Sequence, residues 1–153
     1  MGFELRDHTA DIAVEATGES LADVFASLAD GLAAASCEDI PADTGERFSL
    51  SVTAENREAL LFDYLDELIY LRDVRAELPV DHHVETIDGV DADADAATDV
   101  SANPATEQWS LTATARGIPL TEIDAREVKA VTYSEMQLEY VDEQWEAYVV
   151  FDV

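Results

Sequence analysis

The sequence predicts an α+β fold, with two helices packed on a largely antiparallel sheet of about seven strands. Three observations predict it. Apolar residues recur at helical spacing in two stretches only. Along most of the remaining chain they alternate, in the period of a half-buried strand. The last third is β-rich throughout, so two helices stand among about seven strands.

In chain order, residues 11–16 alternate, with Ile12, Val14 and Ala16 on one face and Asp11, Ala13 and Glu15 on the other. Gly18 ends this strand. Ser20 then opens a helix, with Asp23 at the capping-box position. Leu21, Val24, Phe25, Leu28 and Leu32 form its apolar stripe, which runs to about Cys37. Phe48, Leu50, Val52 and Ala54 mark a second strand. A second helix spans roughly Asn56 to Arg75, burying Leu61, Tyr64, Leu65, Leu68 and Leu71 and leaving Asp63, Asp66, Glu67 and Asp73 to solvent. Residues 80–87 suit a further strand. The segment 88–107 is acidic, small and turn-rich, and reads as an exposed loop. Trp109, Leu111, Ala113 and Ala115 alternate up to Gly117, and a long strand is expected near 127–140. The final strand places Trp145, Ala147, Val149, Phe151 and Val153 on one face and Tyr148, Val150 and Asp152 on the other.

A chain of 153 residues with 48% hydrophobic content is expected to form one domain, 1–153, around a single core. Its charge is extreme: 35 Asp and Glu against eight Lys and Arg, a formal −27. Strong direct binding to nucleic acid is not expected, because phosphate affinity rests on Lys and Arg releasing counterions. Concentrated salt accounts for such a surface. At molar salt the Debye length falls to about 3 Å, self-repulsion is screened, and carboxylates keep the protein hydrated. Lysine depletion, down to Lys129 alone, fits the same halophilic pattern. The lone Cys37 excludes an intramolecular disulfide and is expected to pack. The N-terminal residues lack a basic-then-apolar signal, and no apolar run reaches membrane-span length, so a cytoplasmic protein is expected, with no membrane partner.

Asp91, Asp93 and Asp95 hint at a calcium loop, but Ala96 and Ala102 stand where an EF-hand needs Gly and Glu. His82 and His83 are adjacent, and neighbours in a strand point to opposite faces, so they are poorly placed to share one metal. No nucleophile elbow, phosphate loop or dinucleotide fingerprint is present, and a non-enzyme is expected. Asp7-His8-Thr9-Ala10-Asp11 gathers two carboxylates and an imidazole at a strand start, a pattern that also suits a turn whose side chains bond local amides. Asp152, beside the carboxylate of Val153, raises a similar question. Clustered carboxylates that are not otherwise paired are natural ligands for a hard divalent cation.

Four blocks, in order, resemble the archease family: DHTADIAVEATGESLADVF at 7–25, LLFDYLDELIYLRD at 60–73, EVKAVTYSEMQL at 127–138 and WEAYVVFDV at 145–153. The resemblance implies an archease-like fold and a non-catalytic activator of RtcB-type ligases. Those enzymes join RNA ends in tRNA splicing through a guanylylated histidine. It also maps metal-site aspartates onto Asp11 and Asp152 and a functional lysine onto Lys129. Val153 joins Asp11 and Asp152 in the expected metal set, for a divalent cation, calcium ahead of magnesium and either ahead of zinc. The expected partner is the RtcB-type ligase. The alternative is a chaperone or specificity modulator of a tRNA-modifying enzyme such as a tRNA methyltransferase. Departures from the family pattern fall at Ile118, where many archeases carry Glu, and at 119–126, which lacks a His.

Overall fold

The computed structural model describes residues 2–7, 11–37, 39–42, 44–89 and 109–152; the side chains of 2–7, 11 and 134 lie outside that description. The elements are β1 (Gly2–Asp7), β2 (Asp11–Gly18), α1 (Leu21–Ser36), β3 (Glu46–Ala54), α2 (Arg57–Arg75), β4 (Glu77–Asp88), β5 (Trp109–Pro119), β6 (Ala130–Val141) and β7 (Gln144–Asp152), with a short 3-10 turn at Leu120–Glu122. The α+β architecture is the expected one. Its seven described strands divide between two antiparallel sheets, ordered β1-β2-β7-β6 and β3-β5-β4.

Both helices start where capping chemistry starts them. Ser20 Oγ accepts the Asp23 N–H at 3.1 Å, and Asn56 Oδ1 accepts the Ala59 N–H at 2.7 Å. Each satisfies an amide that the first helical turn leaves without a partner, worth about 1 kcal/mol per cap. At Gly18, a Cβ would lie 2.5 Å from the Val24 amide nitrogen, so only glycine lets β2 turn this tightly into α1.

The main core lies between the sheets and the helices. Ile12, Val14 and Ala16 of β2 face the apolar stripe of α1, and Leu61, Tyr64, Leu65 and Leu68 of α2 enter from the other side. Phe25 and Tyr64 stack at 6.2 Å, joining the two helices. Burying each large aliphatic chain here contributes about 1.5–3 kcal/mol relative to exposure. A second cluster of Ala33, Cys37, Leu78, Val80 and Ile118 closes the far end of α1. Cys37 thus packs as expected, and Ile118 is a fully buried apolar residue.

Two expectations are corrected in detail. Leu71 is only half-buried, and Arg72 takes the inward position. Residues 127–129 precede β6 rather than belonging to it.

Candidate functional site

The last strand delivers one sequence-predicted residue, Asp152, to the other two. In the β2–β7 ladder Asp11 stands directly opposite Asp152. In the β6–β7 ladder Ala130 stands opposite Asp152, and the Lys129 N–H donates to the Asp152 carbonyl at 2.8 Å. Asp11, Lys129 and Asp152, far apart in sequence, therefore meet at one end of the four-stranded sheet. The side chains of Lys129 and Asp152 are both exposed.

The segment carrying Lys129 is not held by a regular ladder. Arg72, only 6% exposed, donates from Nη1 to the Val128 carbonyl at 2.6 Å. Its Nε and Nη2 donate to Asp73 Oδ1 at 3.1 and 2.9 Å. The Arg126 N–H donates to the Ser36 carbonyl at 2.7 Å. Val128 is fully buried. A buried guanidinium is tolerable only when its N–H groups are occupied, and Arg72 spends one on the backbone beside Lys129. The sequence did hold a signal for Arg72: it falls four residues after Leu68 on the buried phase of α2, where a charged residue needs a partner.

A second polar group lies inside the protein. His82 is 5% exposed, and its Nε2 lies 3.2 Å from the Pro79 carbonyl, the geometry of a donated N–H. Its Nδ1 has no hydrogen-bond partner among the described residues. Burial pushes the His82 imidazole down to about 4, so it is neutral near pH 7. Asp30 Oδ1 accepts the His82 backbone N–H at 3.1 Å, and burial raises the Asp30 carboxyl above its ordinary range. His83 is exposed, 3.7 Å from Asp81. The two imidazoles thus point to opposite sides, as adjacent strand residues do. His82 and Arg72 both line a small cavity together with Leu32, Ser36, Leu68 and Leu78.

Among the described residues, no three His, Cys, Asp or Glu side chains converge on a metal-sized gap. The Asp91, Asp93 and Asp95 loop and Val153 lie outside the described residues, as does all of 88–107 beyond Gly89. In the backbone register Asp11 and Asp152 are directly opposed, positions at which like charges destabilise a sheet.

The profile of the archease protein family matches residues 3–153. The archease of Methanosarcina acetivorans is 30% identical over 159 aligned residues, covering 99% of this chain and 95% of that protein. That of Methanothermobacter thermautotrophicus is 31% identical over 154 aligned residues, covering 99% of both chains. The solution structure of Methanobacterium thermoautotrophicum protein 1598 superposes with a TM-score of 0.74 at 28% identity, covering 99% of each chain. A crystal structure from Thermotoga maritima, described as an archease and possible chaperone, shares the fold at a TM-score of 0.57 and 21% identity, covering 98% of this chain and 96% of that one.

Proposed function

The chain belongs to the archease protein family, and on that premise we propose that it is a non-catalytic activator of an RtcB-type RNA ligase in tRNA splicing, promoting guanylylation of the ligase. The observation that carries this reading is the meeting of Asp11, Lys129 and Asp152 at one sheet end. A strand surface with no assigned task gains nothing from setting two aspartates opposite each other beside the chain's only lysine.

In this reading the protein presents positive charge to a partner that handles GTP phosphates. Asp11 and Asp152, with Val153 next in the chain, would hold a divalent cation, calcium ahead of magnesium. That ion would supply hard positive charge for phosphate oxygens. Lys129 adds a compact ammonium whose backbone is fixed between Val128, held by Arg72, and the Asp152 carbonyl. Fixed charge of this kind stabilises developing negative charge without reorganising at the moment of reaction. The acidic remainder of the surface disfavours direct contact with RNA phosphates, so the action runs through the ligase. The same acidity supports a protein working in the concentrated salt of a halophile's cytoplasm.

The test is ligase guanylylation and multiple-turnover RNA joining in molar potassium chloride, with and without this protein. Wild type accelerates both. Asp11→Ala, Lys129→Ala and Asp152→Ala stay folded by circular dichroism and lose most of the acceleration. Lys129→Arg does not restore it, since a planar guanidinium is not a compact ammonium. Full activation by the folded Asp variants would sink the site assignment. No effect of wild type on a competent ligase would sink the reading and favour the second one, a chaperone or modulator of a tRNA-modifying enzyme such as a methyltransferase. The family resemblance carries that second reading, and the Thermotoga maritima archease is likewise described as a possible chaperone.

A further inference from the structure

The pairing of β6 with β7 breaks after Thr132↔Val150 and resumes at Gln137↔Tyr148. Inside the break Glu135 takes φ 59°, a left-handed conformation uncommon for a residue with a Cβ. Bulges of this kind re-aim a side chain out of the ladder. Here the ring of Tyr133 lands face to face on Phe62 of α2, with centroids 4.2 Å apart and planes within 6° of parallel. Phe62 packs against the main core, whereas Tyr133 is 54% exposed. A two-ring stack is thus anchored from below and offers solvent an open aromatic face.

Its rim is acidic. Partial burial, then the charges of Asp63 and Glu55, raise the Tyr133 hydroxyl above its ordinary range, which places both carboxylates within electrostatic reach of the ring. Asp66 stands near enough to Asp63 to help raise that carboxyl in turn, behind partial burial as the larger cause. An electron-rich ring face edged by carboxylates suits a guanidinium. That group is planar and weakly hydrated, and it stacks on a ring while its N–H groups reach acceptors at the side.

A second copy is a poor candidate for this role, because it carries the same formal −27 and five of its seven arginines are engaged within their own chain. Arg47 meets Asp81, and Arg57 lies over Trp109 and Trp145. Arg72 holds Val128, Arg75 covers Phe48, and Arg116 donates to the Pro41 and Thr44 carbonyls. Nucleic acid and anionic lipid carry the wrong charge for a carboxylate rim. We propose that the Phe62–Tyr133 stack, with Asp63 and Glu55 at its edge, is the docking point for an arginine side chain presented by a different protein. This assignment is independent of the ligase reading. It concerns a different place, on the outer face of α2, and it holds whatever the partner does. Ring contact persists in molar salt, where purely long-range attraction beyond about 3 Å is screened.

The experiment uses the full chain with carbon-13-labelled tyrosine rings, titrated in 1 M potassium chloride with the peptide acetyl-Arg-Gly-Arg-Gly-Arg-amide. The lysine version of the peptide serves as the comparison. The Tyr133 ring resonances shift saturably, and the arginine peptide binds more tightly than the lysine peptide. Asp63→Asn weakens binding about threefold. Tyr133→Leu, followed through the amides of α2, weakens it about tenfold. Tyr133 resonances that stay still, or move no more than those of exposed Tyr70 and Tyr140, overturn the proposal. Unchanged affinity in Tyr133→Leu overturns it as well. Asp63→Asn keeps the question answerable if the tyrosine variant folds poorly.

Discussion

The two ends of the contact between α2 and the chain around β6 are built on different principles. At one end, buried Arg72 grips the Val128 carbonyl, and the Lys129 amide is tied to Asp152. At the other, a broken ladder throws Tyr133 onto Phe62, and the contact is a stack with its outer face open. The first end is specified by directional hydrogen bonds to a buried charge, so it is rigid and intolerant of change. The second is held by ring contact and burial, so it tolerates substitution in the fold while exposing a face for recognition. Loss of the buried Arg72 at the first end should appear as lost stability as well as lost activity, and damage at the second end as lost binding alone.

The largest expected effect falls on both ends at once. A formal −27 repels itself when unscreened, so transfer from molar potassium chloride to dilute buffer lowers the melting temperature more than any single substitution discussed here. A melting temperature indifferent to salt would remove the halophilic reading.

Next comes acid, through the cavity beside Arg72. His82 sits at about 4 in the fold against an ordinary 6.5, so between those values the unfolded chain binds the extra proton. The stability from keeping His82 neutral is complete above pH 6.5 and is lost as pH falls toward 4, by up to about 3 kcal/mol. The raised carboxyl of Asp30 offsets part of this, since the folded state takes up its proton first. Denaturant titrations of wild type and His82→Gln across pH 4 to 7.5 check it. Parallel curves would show that His82 is not the sensor.

Arg72→Met leaves the Val128 carbonyl without its donor and is expected to cost about 2 kcal/mol, with weaker ligase activation as Lys129 loses its fixed backbone. Urea unfolding in high salt measures the first effect and RNA joining the second. A stable variant with full activation would show that Arg72 positions nothing. Lys129→Ala and Asp152→Asn touch exposed side chains. Stability should stay within about 0.5 kcal/mol of wild type while the plateau of ligase activation falls. Tyr133→Leu is the mildest: near-native stability, an unchanged plateau, and more protein needed to reach half of it if the ligase supplies the docked arginine. A lowered plateau in that variant would merge the two ends into one functional surface.

Much of this molecule is legible from local pattern. The capping signal of Ser20 and the apolar stripes of both helices act within one or two turns. The alternation in β2, β3 and β5 likewise reports faces that residue spacing alone decides. β1 is harder to see, since Gly2–Asp7 becomes a strand by pairing with β2. The bulge at 133–136 leaves only a faint trace: the apolar positions shift from Val131 and Tyr133 to Met136 and Leu138, a change of phase that does not say where the displaced side chain lands. Four sequence blocks pointed to Asp11, Lys129 and Asp152 through family resemblance, but no spacing within one segment could bring them together. Arg72 carried a weak signal, a charge on a buried phase, without any indication of what it would grip.

By itself, the sequence determined the elements that short-range chemistry writes: helix starts, apolar faces, the acidic surface and the family blocks. Tertiary structure alone decided that β7 lies between β2 and β6, and with it everything that depends on register. That insertion sets Asp152 opposite Asp11 and beside Lys129, and it lets the chain break its ladder to seat Tyr133 on Phe62. The physical reason is range. Caps and periodicity involve residues three or four positions apart, whereas strand order and register are set by burying distant segments against one another, and the energy of that burial belongs to no single stretch of chain.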